Sequence, residues 1–374
     1  MTARERRLAS LLFKNPDKVS FEPGGAREST LAIWREQGLP EGVNYHTYLR
    51  ELLGIEPDIG GRASLGVSFK MIPQFDEHII EHKDGHYIVQ DWMGAITEIS
   101  DTFDYTYIRS ARDFVTRKWH KFPVENRDDW EQMKWRYDAR GEGRHPADLD
   151  EVCAGLKDRD GYLNIHFNGP FWQLREWLGF ENLCMMMLDD PALVDEMILF
   201  WANFVSETLK PVLERVTPDQ VGMSEDMAYK HASMISPDMV RRFLMPAYER
   251  WVPQIRESGC EVVFMDSDGK IDELIPIWIE AGINCCGPVE VASENDIVAF
   301  RQEHGDQMAF IGGVDKRAMA KGGAVMEAEV MRVVPPLLED GGFIPCCDHG
   351  VPPDISWPNF VAYSKLLAEL TGWG

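Results

Sequence analysis

Two carboxylates leave an apolar run in Phe264-Met265-Asp266-Ser267-Asp268-Gly269. If the chain is still extended there, Asp266 and Asp268 point the same way. Like charges so close call for a cation, a donor-rich substrate or a shared proton. The same residues also suit a turn at Asp268-Gly269 and a cap for the next helix. A second cluster, Cys346-Cys347-Asp348-His349-Gly350, places two thiols and an imidazole on one loop. His349 is suited to proton transfer near neutral pH, and with Cys347 it could ligate a borderline metal. Buried free cysteines are more often inert, which leaves His349 as the residue hardest to assign to packing. Ser224-Glu225-Asp226 again puts acids after an apolar run, with a helix-cap role open, and Glu290 stands alone in an equivalent place.

The elements that must position these residues repeat from about residue 160. Apolar runs at Leu163–Phe167, Gln220–Met223, Cys260–Met265, Ile283–Cys286, Met308–Ile311 and Gly342–Cys347 each end in polar or glycine-rich residues. Most are followed by helical patterns, through Trp172–Leu188, Pro237–Glu257, Ile271–Ala281 and Asn359–Leu370. Short runs without alternation, each trailed by a helix, predict parallel strands covered on both faces. No Gly-x-Gly-x-x-Gly opens a helix after a strand, so the main mark of a doubly wound dinucleotide fold is missing. Polar residues just past nearly every strand favour a (β/α)₈ TIM barrel, whose chemistry sits at the carboxyl ends of its strands. The first 150 residues read as irregular, with a strand at His86–Trp92 and an exposed helix over Asn126–Arg140.

The 374 residues carry 62 acidic against 38 basic side chains, a formal charge of −24. Such a surface argues against nucleic acid and anionic lipid as partners. No run approaches the ~20 apolar residues of a membrane span, and no apolar signal-peptide core comes after the basic start. Seven scattered cysteines make no disulfide framework, so a reduced, soluble, cytoplasmic protein is expected. There is no Gly-x-Ser-x-Gly, His-Glu-x-x-His or P-loop.

Several stretches resemble the uroporphyrinogen decarboxylase superfamily, which includes corrinoid-dependent methyltransferases. They are Glu225–Lys230, Ile235-Ser236-Pro237, Met265–Gly269, Gly287–Val291, Ile311–Arg317 and, most specific, Gly341–Pro345 through Asp348–Asp354. The resemblance implies one barrel domain over 1–374, with residues 1–80 as a loosely matched N-terminal extension. The decarboxylases of this superfamily hold a substrate of eight carboxylates with an arginine-rich early segment. Here Phe21–Arg27 offers one Arg beside a Glu, although His349 matches a histidine of that branch. The methyltransferases hold zinc with a His-x-Cys pair and a later Cys. Placing their glycine on Gly269 puts Asp266 and Asp268 on the pair, and the last Cys on or near His349, with Cys347 close by.

The resemblance therefore implies methyl transfer from a methoxy or methylated amine compound to a corrinoid carried by a partner protein. A decarboxylase, or a silent barrel that only binds, are the alternatives. His349, Asp266 and Glu225 are the expected catalytic residues, and Asp226, Glu290, Asp348 and Asn168 the expected substrate contacts. A divalent metal, zinc or another, would be held by Asp266, Asp268, His349 and Cys347. The expected partners are a small molecule, a corrinoid protein and, as one further option, a second copy of the chain.

Overall fold

The computed structural model describes residues 1–57, 61–110, 113 and 115–374. Eleven strands run in chain order: β1 Arg62–Ala63, β2 His78–Lys83, β3 His86–Gln90, β4 Ile96–Ser100, β5 Arg117–Lys121, β6 Tyr162–Asn168, β7 Gln220–Ser224, β8 Val262–Asp266, β9 Cys285–Gly287, β10 Ala309–Val314 and β11 Phe343–Cys347. Seven of them form one parallel sheet in the order β1-β6-β7-β8-β9-β10-β11. From β6 onward each strand pairs with the next in sequence, and a helix covers the crossover in most cases. This stepwise order curls the sheet into a partial barrel.

The eighth place beside β11 is taken by an extended segment, not a full strand. There the Cys347 N–H donates to the Pro23 carbonyl at 3.3 Å, and the Val351 N–H to Gly25 at 2.8 Å. No strand pair joins this segment to β1 among the described residues. Of the expected eight-stranded barrel, the described residues form a curled seven-stranded parallel sheet with a bridged eighth position. In the early sequence β1 is two residues long, and Pro23 has no N–H to give to a ladder.

The core is dense with aromatic residues. Trp34, Trp130, Trp177, Trp201, Trp251 and Trp278 are all fully or almost fully buried. At the amino ends of the strands, Leu11 of helix Ala3–Leu11 packs on Val262, Cys285, Ala309 and Ile344. The N-terminal helix is therefore a plug for the bottom of the sheet. Thr2 caps it in a reciprocal capping box with Glu5.

Strands β2 to β5 form a separate antiparallel meander, where an irregular region was expected. All six residues of β2 are exposed, so the alternation that marks a half-buried strand is absent there. Three helices also differ from expectation. Gly179, at φ +78°, splits Trp172–Leu188 into Pro170–Leu178 and Phe180–Asp189. Over Asn126–Arg140 only Arg127–Met133 is α-helical, and Trp130 and Met133 are buried, because the tryptophan anchors that helix to the core. Over Ile271–Ala281 the α-helix is confined to Ile275–Glu280. Among the described residues no helix is long and apolar enough to cross a membrane.

Candidate active site

Strand alternation decides which predicted residues reach the cleft. Asp266 and Asp268 lie two apart at the end of β8 and line one cavity, while Ser267 between them is buried. The cavity measures about 410 Å³ and is also lined by Asp226, Trp172, Pro288, Cys347 and His349. Asp226 follows β7, Pro288 follows β9 and His349 follows β11, so the chemistry gathers at the carboxyl ends of the strands.

His349 is held on both ring nitrogens. Nε2 stands 3.0 Å from Asp268 Oδ2, while Arg27 Nη2 lies 3.0 Å and the Gly350 amide 2.7 Å from Nδ1. Two N–H groups aimed at Nδ1 require it to accept, which places the proton of the neutral ring on Nε2. Asp268 raises the affinity of the ring for a second proton, outweighing burial and the charges of Lys316 and Arg27. That proton must sit on Nδ1, so both Arg27 and the Gly350 amide have to give up their hydrogen bonds to it when the imidazolium forms. An Arg27→Gln variant is therefore expected to raise the His349 pKa, and Asp268→Asn to lower it, by NMR titration of the ring. A fall in Arg27→Gln would contradict this account of the contact.

A second polar chain crosses the floor of the site. The Ser224 hydroxyl donates to Asp266 Oδ2 at 2.7 Å, and His166 Nε2 lies 2.7 Å from Ser224 Oγ. Burial, with smaller contributions from Asp268 and Asp226, pushes the Asp266 carboxyl up to about 6, so it holds its proton into the weakly acid range. Burial also pushes His166 down. His166 keeps an open face on a second cavity of about 580 Å³, which Asn168 also lines. The chain His166–Ser224–Asp266 thus runs from one cavity to the other.

The remaining predicted residues serve different ends. Glu225 is fully buried and does not line the cleft, which corrects its expected place there. Its carboxyl accepts from the Trp172 N–H at 3.0 Å and from the Tyr248 hydroxyl, at the start of helix Pro170–Leu178. Gly169 makes room for it, since a Cβ there would come within 2.2 Å of Glu225 Cδ. Asp348 is also fully buried, accepts from the Val291 and Lys316 amides at 2.9 and 3.1 Å, and is pushed by burial to about 6. It ties three loops together below the cleft. Glu290 accepts from Lys316 Nζ at 2.7 Å, which outweighs burial and lowers its pKa. Asp226, in the left-handed region at φ +40°, pairs with Arg175 at 2.9 Å.

Burial pushes the Glu225 carboxyl up to about 7. An acid with a raised folded pKa leaves the unfolded chain with fewer protons between about pH 4.5 and 7, so stability falls as pH rises through that window. Asp266 and Asp348 act in the same sense. Glu225→Gln is expected to make the decline in urea midpoint between pH 5 and pH 8 shallower. An unchanged slope would show that Glu225 is not the group responsible.

The residues expected to hold a metal do not assemble as a ligand set. Burial pushes the Cys347 thiol well up, which disfavours the thiolate, and His349 Nε2 is engaged with Asp268. Among the described residues no three His, Cys, Asp or Glu side chains are grouped to hold a metal. The donors as placed do not fit one, and no step is derived through it. Sequence reasoning met Arg27 only as the lone arginine of Phe21–Arg27 and missed its contact with His349, from which 322 positions separate it, and it missed His166 altogether. His166 gave a local signal: Asn164, His166 and Asn168 alternate along β6, and the first two are its accessible positions.

A curled parallel sheet with a polar cleft at the carboxyl ends of its strands defines the class of barrel-like α/β proteins. The uroporphyrinogen decarboxylase (URO-D) profile matches residues 167–369, and the chain belongs to that family. Its fold is similar to that of a methyltransferase from Methanosarcina mazei, with TM-score 0.60, 13% identity and 99% of each chain covered. A Listeria monocytogenes protein described as a putative vitamin-B12-independent methionine synthase aligns over 98% of this chain and 99% of its own, at 10% identity and TM-score 0.38. No curated protein matches by sequence.

Proposed function

We propose that this protein transfers a methyl group from a methylated small molecule, a methoxy or amine compound, to a corrinoid carried by a partner protein. The observation that carries this reading is His349, set at the cleft wall between Asp268 and Arg27. The reduced corrinoid supplies the electron pair that takes the methyl group. The bond from methyl to heteroatom breaks and its electrons stay on the heteroatom; a methoxy oxygen or a neutral amine takes a proton from His349, whereas an ammonium nitrogen leaves as the neutral amine without one. Asp268 supports the charged ring, and Asp266 with Ser224 and His166 holds protons at the floor.

Charge balance separates this reading from tetrapyrrole decarboxylation. Arg175 and Lys316 are already paired with Asp226 and Glu290. The cleft thus offers little net positive charge to a substrate of eight carboxylates. Arg27 favours a second reading, decarboxylation of a smaller acid, because a substrate carboxylate could take it from His349. Incubating the protein with reduced corrinoid and methylated compounds, and separately with uroporphyrinogen, ranks the two. Demethylated product in the first mixture is expected. Decarboxylated porphyrinogen with no demethylation would reverse the order.

A further inference from the structure

The cavity of about 580 Å³ beside the His349 cleft meets the acid chemistry above only at His166. Its wall is built from the rings of Phe69, Trp92, Tyr137, Phe167 and Trp201. Phe69 and Phe167 sit 5.1 Å apart between centroids, and Tyr137 meets Trp201 edge-on at 5.7 Å. Packing therefore fixes these four rings before any ligand arrives, while the Arg109 guanidinium lies 5.7 Å from the centroid of the Trp92 ring. One carboxyl group, Glu176, joins the aromatic wall.

Among the described residues Glu176 accepts only from neutral donors, Trp172 Nε1 at 2.8 Å and Asn168 Nδ2 at 3.2 Å. Arg117 and Arg175 are close enough to act on it electrostatically, yet neither forms an ion pair with it. The net effect of burial is to raise its pKa. A buried carboxyl group with no direct ion pair is costly when ionised, and a cation entering the cavity offsets that cost. Lys70, also on this wall, is exposed. Aromatic faces attract a cation through their quadrupole, and a methylated ammonium suits them best because its charge is carried on apolar methyl groups.

We infer that this cavity is a binding site for a methylated ammonium group, held by the Phe69, Trp92 and Phe167 rings and by Glu176. It deepens the methyl-transfer reading by naming the substrate class, and rests on that reading only for the chemistry after binding. His166 lines the same cavity and connects through Ser224 to Asp266, so a ligand there touches the polar chain that leads to the His349 cleft.

Calorimetric titration of the full chain tests this. Choline and tetramethylammonium are the cationic probes, and neohexyl alcohol, in which carbon replaces the nitrogen of choline, is the neutral one. Choline is expected to bind about ten-fold or more tightly than the alcohol. Glu176→Gln should cut choline affinity by about the same factor and leave the alcohol unchanged. Trp92→Leu, at a half-buried wall position, should weaken choline binding with the circular dichroism spectrum unchanged. Equal affinity for choline and the alcohol, unchanged choline affinity in Glu176→Gln, or no saturable choline binding would overturn the inference. Choline binding without any methyl transfer would leave it standing and count against the proposed function instead.

Discussion

Replacing His349 by Asn is expected to lower turnover of a methoxy donor by about 10²–10⁴-fold, the usual contribution of a positioned proton donor. Asn fills similar space and can keep a hydrogen bond to Asp268, so the fold should survive. The loss should fall on kcat, with KM little changed, because the ring acts on the breaking bond and the rest of the cleft remains. In the wild type the donor is the imidazolium, so the rate should fall as pH rises through the His349 pKa, which Asp268 raises. Asp268→Asn should move that fall to lower pH. A His349→Asn enzyme with wild-type turnover would remove His349 from the mechanism.

Gly312→Ala is expected to destabilise the protein by about 3–4 kcal/mol, the largest effect on folding expected of any single substitution named. Two causes add. Gly312 has φ +111°, a backbone region that side chains rarely enter, and its Cβ would stand 2.0 Å from the Pro288 carbonyl oxygen. The obstructing atom is backbone, so no side-chain rotation relieves it. This close approach lets β10 pass the loop after β9, which carries Pro288 into the cleft. Gly155→Ala is the control, since nothing lies within 4 Å of the added carbon. It should change stability by no more than about 1 kcal/mol, in the stabilising direction, because Gly155 ends a helix where alanine is favoured. Urea midpoints measure both variants. Equal midpoints would contradict the packing argument at Gly312.

The later strands were legible because each apolar run ends in polar or glycine-rich residues. Leu163–Phe167, Gln220–Met223 and Gly342–Cys347 overlap β6, β7 and β11 closely. The same residues show where reading by type alone fails. In Ser224-Glu225-Asp226, alternation sends Ser224 and Asp226 toward the cleft and Glu225 into the core, so the most acidic-looking candidate became a buried anchor. Asp348 and His349 divide in the same way, the first buried among amides and the second on the cavity. Of the antiparallel meander only β3 was read, as a strand at His86–Trp92, and β2 left no pattern because it has no buried face. Arg27 illustrates a limit of another kind. It reaches His349 only because the extended segment at Pro23–Arg27 fills the gap beside β11, a contact set by closure of the fold, not by local sequence.

The central claim, methyl transfer with His349 as proton donor, is tested most directly by following an isotopically labelled methyl group in a single turnover. The full chain, reduced corrinoid and a labelled methylammonium or methoxy compound are mixed, and label on the corrinoid and on the parent compound is quantified by mass spectrometry. Wild-type protein should move the label to the corrinoid and release the demethylated compound in equal amount, while His349→Asn should leave it on the methoxy donor, whose oxygen needs the proton, over the same interval. Label retained on the donor by wild-type protein across the methoxy and amine series would contradict the account.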